Sequence, residues 1–235
     1  MIISVHIPKT AGMAFRTVLQ SIYGNNIYYD YETNYKFTDP FKNTPKEAFF
    51  KIYGQAKMFL RGHYSLKLDD KCIHGHFAAD KYDYIFPGSK KITWVRDPVE
   101  RVISQYYYWQ RHPDRASFVC NALLREKYSL IDFASLDAIR NYQSKFLRGQ
   151  SVDDFTCVGI QEYFDESMKQ ILKCLEVDMH LENQFLSKNK NPNKKVNQQY
   201  DIPANERRII QELNSVDYEF YNSAVNKFHN NNTNS

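Results

Sequence analysis

Apolar and polar positions follow two different periods along this chain, one typical of strands and one typical of helices. Residues 2–7 are almost all apolar, which predicts a short buried strand that ends at Pro8. From Met13 to Tyr23 apolar side chains recur at helical spacing, which predicts an amphipathic helix that stops at Gly24. Further strands are predicted at residues 71–77, 90–96 and 155–160.

The clearest helix start follows residues 90–96. Asp97 supplies an N-cap, Pro98 takes the first helical position and Glu100 completes the capping pattern, so we predict a helix to about Trp109. Other helices are predicted over residues 115–148 with breaks near Ser129 and Ser135, 162–175, 203–213 and 215–229. The remaining segments predict irregular structure at 25–60 with a short helix near 45–52, a polar and basic loop at 187–199 and a disordered tail at 230–235.

Strands that alternate with helices predict an α/β fold. We expect a P-loop-like central parallel sheet flanked by helices, formed by a single domain over residues 1–229. Sheets of this kind bind ligands at the carboxyl ends of their strands. The loops after Ile7, Phe77 and Arg96 are therefore where functional side chains are expected.

Composition argues against several classes of protein. The formal charge of +4 is too small to favour nucleic acid as a partner. No apolar run reaches the roughly 18 residues of a membrane span, and the first residues do not resemble a signal peptide, so we expect a cytoplasmic protein. The four cysteines form no CxxC pair, which favours reduced, buried thiols over a zinc or redox site, although two disulfides remain open.

The loop Pro8–Ala14 joins the first strand to the first helix. A helix N-terminus offers unpaired N–H groups and a partial positive charge, which suits a phosphate or a sulfate, and Lys9 adds a full charge. Ala11 and Gly12 leave the backbone accessible. The loop is not a Walker A motif, because that motif places its glycines before the lysine, and this disfavours a kinase. An ordinary turn with an exposed lysine is an equal alternative for the loop alone.

The second loop begins at Arg96, at the end of a predicted strand. Ser104 follows the cap Asp97 by about two helical turns and lies on the same face of the helix. A guanidinium and a hydroxyl on one face suit a second anion, because arginine donates two parallel hydrogen bonds to a phosphate. A surface arginine and a solvated serine are the alternative. Arg101 is expected to be a structural or surface residue.

Together the two loops resemble the sulfotransferases that use 3′-phosphoadenosine 5′-phosphosulfate (PAPS), most closely the carbohydrate group that includes heparan sulfate 2-O-sulfotransferase. Residues Ile7–Gly12 read IPKTAG, and Arg96–Tyr107 read RDPVERVISQYY, similar to the family's RDPxxRxxSxYY segment. Between them, Ile73–Phe77 contains the family's HGH pattern. Later fragments that resemble the family are Asn141–Leu147, Val158–Glu162 and Asp217–Tyr221.

The resemblance implies roles for the matching residues. His76 would be the general base, and His74 is a weaker candidate that would orient His76 or touch the substrate. The 3′-phosphate would be read by Arg96 and Ser104. The 5′-phosphosulfate would be held by Lys9, Thr10, Ala11, Gly12, Met13 and Ala14. The family commonly has hydroxyl residues at the positions of Met13 and Ala14, so two side-chain donors to the phosphosulfate would be missing here.

Sulfuryl transfer relies on positioning and charge stabilisation, as phosphoryl transfer does. Lys9 is the natural cation at the leaving oxygen, and a histidine with a pKa near 6.5 suits removal of the acceptor proton. Lys195 and Asn197 are weaker candidates for closing over the nucleotide or meeting an acidic acceptor; a solvated charged loop is the alternative.

The sequence thus predicts a PAPS-dependent sulfotransferase that requires no metal and modifies a hydroxyl of a sugar or glycan. Two alternatives remain open: a P-loop-like nucleotide kinase, and a non-catalytic module that binds an anionic glycan.

Overall fold

A five-stranded sheet forms the centre of the computed structural model, which describes residues 1–31, 69–112, 127–177 and 200–233. The strands are β1 Ile2–Val5, β2 Ile27–Asp30, β3 Cys72–Gly75, β4 Lys90–Val95 and β5 Cys157–Ile160. They run parallel in the order β2-β3-β1-β4-β5. The predicted α/β fold with a central parallel sheet is confirmed.

Strand β2 corrects the sequence analysis, which predicts irregular structure over residues 25–60. Only its end residues Ile27 and Asp30 are buried, and Tyr28 and Tyr29 between them are half-buried. The strand lies at the edge of the sheet and pairs with β3 alone, so it lacks the continuous apolar run of a central strand. The strand conformation of β2 therefore depends on its pairing with β3 and not on the pattern of apolar residues in its own sequence.

Seven α-helices connect and cover the strands within the described ranges. They are α1 Gly12–Tyr23, α2 Pro98–Arg111, α3 Leu130–Ser135, α4 Tyr142–Leu147, α5 Phe164–Cys174, α6 Ala204–Leu213 and α7 Ser215–Thr233. The predicted cap of α2 is present, since the Asp97 side chain accepts a hydrogen bond from the amide of Glu100 at 3.0 Å. Helix α7 continues to Thr233, so the tail predicted to be disordered from residue 230 begins inside a helix.

Both faces of the sheet are covered, as the fold prediction requires. On one face α1 and α5 pack on the sheet through the buried residues Phe15, Leu19, Trp94, Met168 and Ile171. On the other face α4 and α7 pack through Ile3, Val5, Phe146, Ala224 and Phe228. A third apolar cluster joins α2, α3 and α6 beside the sheet. This packing fixes the carboxyl edge of the sheet, where the loops meet.

Cysteine pairing also differs from the expectation of reduced thiols. Cys157, at the start of β5, and Cys174, at the end of α5, form a disulfide. Cys72 is buried and free. The strand runs out to the carboxyl edge and the helix returns from it, so the first residue of one lies beside the last residue of the other. Sequence spacing alone does not reveal this antiparallel return.

Several predictions lie outside the described residues. They are the helix near 45–52, the helical pattern from 115 to 126 and the basic loop at 187–199 with Lys195 and Asn197. Among the helices that are described, none is long and apolar enough to cross a membrane.

Candidate active site

Three neighbouring strands, β3, β1 and β4, deliver the predicted site residues to one edge of the sheet. The first loop follows β1, and Arg96 follows β4, which pairs with β1. His76 follows β3 on the other side of β1, and its amide donates a hydrogen bond to the carbonyl of Asp30 at the end of β2. The sequence prediction that these loops converge at the carboxyl edge is therefore confirmed.

The backbone of the first loop turns sharply at two residues. Lys9 and Ala11 have positive φ angles of 74° and 76°, which are uncommon for residues with a Cβ. Such turns gather successive N–H groups into a concave anion site. Helix α1 begins directly at Gly12, and its first amides add the partial positive charge of a helix N-terminus.

The side chain of Thr10 closes this loop from within. It is fully buried, and its hydroxyl donates a hydrogen bond to the carbonyl of Ile7 at 2.8 Å. The hydroxyl of Thr10 is thus engaged within the loop, and its predicted role at the donor stays a prediction. Met13, by contrast, is 65% exposed at the start of α1, where the family commonly has a hydroxyl residue.

The two loops touch each other. The Arg96 side chain donates through Nη1 to the carbonyl of Lys9 at 3.4 Å. The Lys9 ammonium lies over the ring of Tyr108 in α2, 3.9 Å from its centroid. Ser104 precedes Tyr108 by one helical turn, is half-buried, and so lies on the face of α2 that looks toward the first loop. Arg96 and Lys9 are thus in direct contact, and Ser104 lies one helical turn from the ring that Lys9 contacts.

Arg96 lies among carboxylates without a close ion pair to either of the nearest two. Its nitrogens are 3.9 Å from an oxygen of Glu100 and 3.9 Å from an oxygen of Glu162. Its Nε is buried and has no hydrogen-bond partner within the described parts of the chain. Burial lowers the pKa of Arg96, an effect that Glu162, Glu100 and Asp97 oppose. The guanidinium remains charged, because an arginine is not deprotonated in proteins.

Later fragments of the chain hold the backbone of Arg96 in place. Gln143 from α4 accepts from the Arg96 amide at 3.0 Å and donates to the Arg96 carbonyl at 2.8 Å. Glu162 accepts from the amide of Asp97 at 3.1 Å, and Tyr218 donates to the Asp97 carboxylate at 2.8 Å. The three later family-like fragments therefore surround the second loop, a function that their sequence positions did not suggest.

Three imidazoles and a phenol form a cluster beside the first loop. The ring centroid of His6 is 4.5 Å from that of His76 and 5.2 Å from that of His74. Tyr31 lies 4.7 Å from His76, and its hydroxyl is 3.1 Å from His6 Nδ1. The expectation that both rings face the same side of a strand does not apply, because β3 ends at Gly75; His74 contacts the ring of Phe15 in α1, and His76 contacts the ring of Phe146 in α4. The Nε2 atoms of both are buried without a partner among the described residues.

Burial keeps these imidazoles neutral. It lowers the pKa of His74 to about 3. Burial also lowers the pKa of His76 to about 4, although the carboxylate of Asp30 opposes the change. The pKa of His6 falls well below its usual value because of burial and the nearby His76 and His74. At neutral pH each ring is uncharged and has a nitrogen lone pair that can accept a proton.

His74 and His76 differ in access. His74 is fully buried, and its Nδ1 lies 2.8 Å from the hydroxyl of Ser4 in β1. His76 is half-buried at the end of its strand. His76 is therefore the less buried of the two rings, and His74 is anchored inside the sheet by its contact with Ser4.

Sequence reasoning missed His6 and Tyr31, which both border His76. His6 precedes the IPKTAG segment by one residue, and Tyr31 follows the unpredicted β2. A signal existed for His6, because it ends the first strand at the edge where ligands bind. For Tyr31 there was none, since the strand that places it was itself not predicted. Within the described residues no group of three His, Cys, Asp or Glu side chains is arranged to hold a metal ion.

A family model described as the sulfotransferase family matches residues 1–223. This chain belongs to the sulfotransferase family. The resemblance noted from the sequence is thus confirmed at the level of the family, whose sulfuryl donor is PAPS, and its carbohydrate type stays a prediction. No curated protein matches the chain significantly.

A solved sulfotransferase structure shares this fold at low sequence identity. A crystal structure of a sulfotransferase from Alicyclobacillus acidocaldarius is 16% identical, with a TM-score of 0.51 over 97% of this chain and 95% of that one. Mouse sulfotransferase SULT7A1, complexed with PAP, is 15% identical, with a TM-score of 0.47 over 95% of this chain and 88% of that one.

Proposed function

We propose that this protein transfers a sulfuryl group from PAPS to a hydroxyl of a carbohydrate acceptor, with His76 as the general base. The observation that supports the proposal best is the arrangement around the first loop. A neutral histidine with an unpartnered Nε2 lies in one ring cluster with His6, and His6 packs directly against Gly12 of that loop. The proposed donor and base sites would therefore adjoin.

The residues present fit a donor with two anionic ends. At one end, Lys9 and the amides of the Pro8–Ala14 loop would hold the 5′-phosphosulfate, and Lys9 would neutralise charge at the leaving oxygen. At the other end, the unpartnered Nε of Arg96 and the hydroxyl of Ser104 would hold the 3′-phosphate. PAPS supplies the activated sulfuryl group when bound.

His76 would accept the proton of the acceptor hydroxyl. Its depressed pKa, about 4, keeps the ring neutral at pH 7, and the neutral ring is the form that can accept a proton. His74 would act as a positioning residue, since it is anchored to Ser4 and packs in the same cluster.

A sugar acceptor fits the surroundings of His76. Tyr31 lies against the base, and Tyr29 lies 6.3 Å from Tyr31 in a stacked orientation. Arg16 from α1 lies over both rings, at 4.5 Å and 5.5 Å from their centroids. Aromatic rings with a polar edge suit the apolar face and hydroxyls of a sugar ring.

The test is PAP formation from PAPS in the presence of a mixture of desulfated glycosaminoglycan chains. His76→Ala is expected to lose at least about a hundredfold in turnover, the usual range for a general base, while its affinity for PAP stays unchanged in calorimetry. His229→Ala is the matched control, because this exposed histidine lies in α7 and contacts the rings of Tyr163 and Phe228, which do not belong to the His76 cluster. Retained turnover in His76→Ala would remove it from the mechanism.

Calorimetry on the unmodified protein separates the alternatives. Binding of PAP without magnesium supports the sulfotransferase. Preferential, magnesium-dependent binding of ATP would support a kinase instead. Glycan binding that weakens with salt, together with no binding of PAP, would support a non-catalytic module.

A further inference from the structure

We propose that His6 is a positioning residue that couples the donor loop to the base His76. The inference rests on the proposed function, and it adds that the His6 ring connects the loop that would bind the donor with the proposed base. His6 is the residue that follows β1, and its imidazole lies between the start of α1 and the ring of His76.

The contact of His6 with the loop is unusually close. A Cβ built on Gly12 would lie 1.8 Å from His6 Cδ2 and 2.1 Å from His6 Nε2. No side chain larger than hydrogen therefore fits at this position while the imidazole stays in place. Gly12 is needed here for the close approach of a ring, and the contact joins the first residue of α1 to the cluster.

The other edges of the His6 ring are also occupied. Its plane stacks on His74 with an interplanar angle of 16°, and its Nδ1 lies 3.1 Å from the hydroxyl of Tyr31. The residue is only 6% exposed. Protein interiors are close-packed and have few voids into which a side chain could move. A shift of the His6 ring is therefore expected to move the side chains that it contacts.

A ligand that binds the amides at the start of α1 would therefore displace Gly12 and, through the direct contact, the His6 ring. The His6 ring contacts His76 and Tyr31, so its displacement would be passed to these two side chains. Occupation of the donor loop would thereby set the orientation of the base ring, before any acceptor arrives.

A role as a second base is disfavoured for His6 itself. Its Nδ1 is engaged with Tyr31, and the remaining ring edge is packed against Gly12. Because both of these ring edges are occupied, we assign His6 a positioning function toward the residues that it contacts.

The test uses PAP as the probe and the imidazole signals of His76 in nuclear magnetic resonance as the readout. PAP should shift these signals in the unmodified protein, and the shift should fall to less than about half in His6→Ala, at saturating PAP. Tyr31→Phe is a second variant, which keeps every ring and removes one hydrogen bond; it should weaken the shift less.

A double-mutant cycle tests the steric link separately. Gly12→Ala should weaken PAP binding by about tenfold, and the double variant His6→Ala/Gly12→Ala should recover most of that loss, because the methyl group then occupies space the imidazole has left. Recovery would not occur if the methyl group disturbed the bound nucleotide directly.

The outcomes distinguish this inference from the function on which it rests. If the unmodified protein does not bind PAP, the proposed function fails and the coupling with it. If PAP binds but the His76 shift is absent, or is equal in His6→Ala, only the coupling is overturned. If His6→Ala does not fold, the PAP-induced shift of the His76 signals is compared in Tyr31→Phe and in the Gly12→Ala single variant instead. A shift equal to that of the unmodified protein in both variants overturns the coupling.

Discussion

The fold places the charged side chain of Arg96 near two carboxylates, but too far from either for a hydrogen-bonded ion pair. Two carboxylate oxygens lie near it at 3.9 Å, beyond direct hydrogen-bond distance, and its Nε has no partner in the described part of the chain. A buried cation of this kind binds an anion strongly once the geometry is right, because a hydrogen bond to a charged group contributes about 1.5–3 kcal/mol.

The residue-scale prediction concerns selectivity for the 3′-phosphate. Arg96→Ala should lower the affinity for PAP by about 10- to 100-fold and leave the affinity for 5′-AMP nearly unchanged, because 5′-AMP lacks that phosphate. Calorimetry with the two nucleotides measures the ratio. Arg140→Ala, at an exposed arginine paired with Asp137, is the control and should keep the PAP preference. Equal losses for both ligands would show that Arg96 does not read the 3′-phosphate.

At the scale of elements, the start of α4 and the start of α7 cap each other. The Asp217 carboxylate accepts hydrogen bonds from the amides of Gln143 and Ser144 at 3.1 and 2.7 Å. In return, the side chain of Asn141 accepts from the amides of Val216 and Asp217 at 3.1 and 3.3 Å. Orphan amides at both helix ends are thereby satisfied, and Gln143 is fixed against Arg96.

At the scale of elements, we predict that Asp217→Asn lowers both the stability of the protein and its affinity for PAP. Asp217 is buried, and burial raises its pKa while hydrogen bonds from Ser144 and the charge of Arg101 oppose that rise. Its carboxylate accepts hydrogen bonds from the Gln143 and Ser144 amides and the Ser144 hydroxyl, and leaving one such buried donor unsatisfied costs about 1–3 kcal/mol. Urea unfolding should show that loss, and calorimetry a weaker PAP affinity.

Glu219→Gln is the matched control for this prediction, since Glu219 is exposed in the same helix two residues later. It should change neither quantity. An Asp217→Asn protein with unaltered stability would contradict the capping described here.

The helices and strands also show which features the sequence pattern can predict and which it cannot. The cap of α2 was predictable because Asp97, Pro98 and Glu100 interact within one turn of chain. Strand β2 was not, since its hydrogen bonds go to β3, more than forty residues away. The partners of Arg96 were equally hidden: Gln143 and Glu162 are distant in sequence and meet it only through the packing of α4 and β5.

At the scale of the whole molecule, three buried histidines make folding sensitive to acid. In the folded state the pKa of His74 is about 3 and that of His76 about 4, and that of His6 is also well below its usual value. In the unfolded chain each returns to about 6.5. Below that pH the unfolded state binds more protons than the folded state, so stability falls as the pH falls.

The prediction is a loss of unfolding free energy that begins near pH 6.5 and continues down to about pH 4, by up to about 1.4 kcal/mol per pH unit for each such histidine. Urea unfolding at a series of pH values measures it. His74→Asn, which keeps a hydrogen-bonding partner for Ser4 but does not titrate, should reduce the slope by about one proton. An identical slope in this variant would show that His74 is not the source.

The sequence by itself determined what short-range physics controls: the alternation of strands and helices, the cap at Asp97, the loop between β1 and α1, and the family to which those loops belong. Only the tertiary structure decided which distant residues meet. It placed His6 between Gly12 and His76, enclosed Arg96 with Gln143 and Glu162, formed β2 at the sheet edge and joined Cys157 to Cys174. The reason is that periodicity and capping act within a few residues, whereas these contacts form only when separate segments pack against the same sheet.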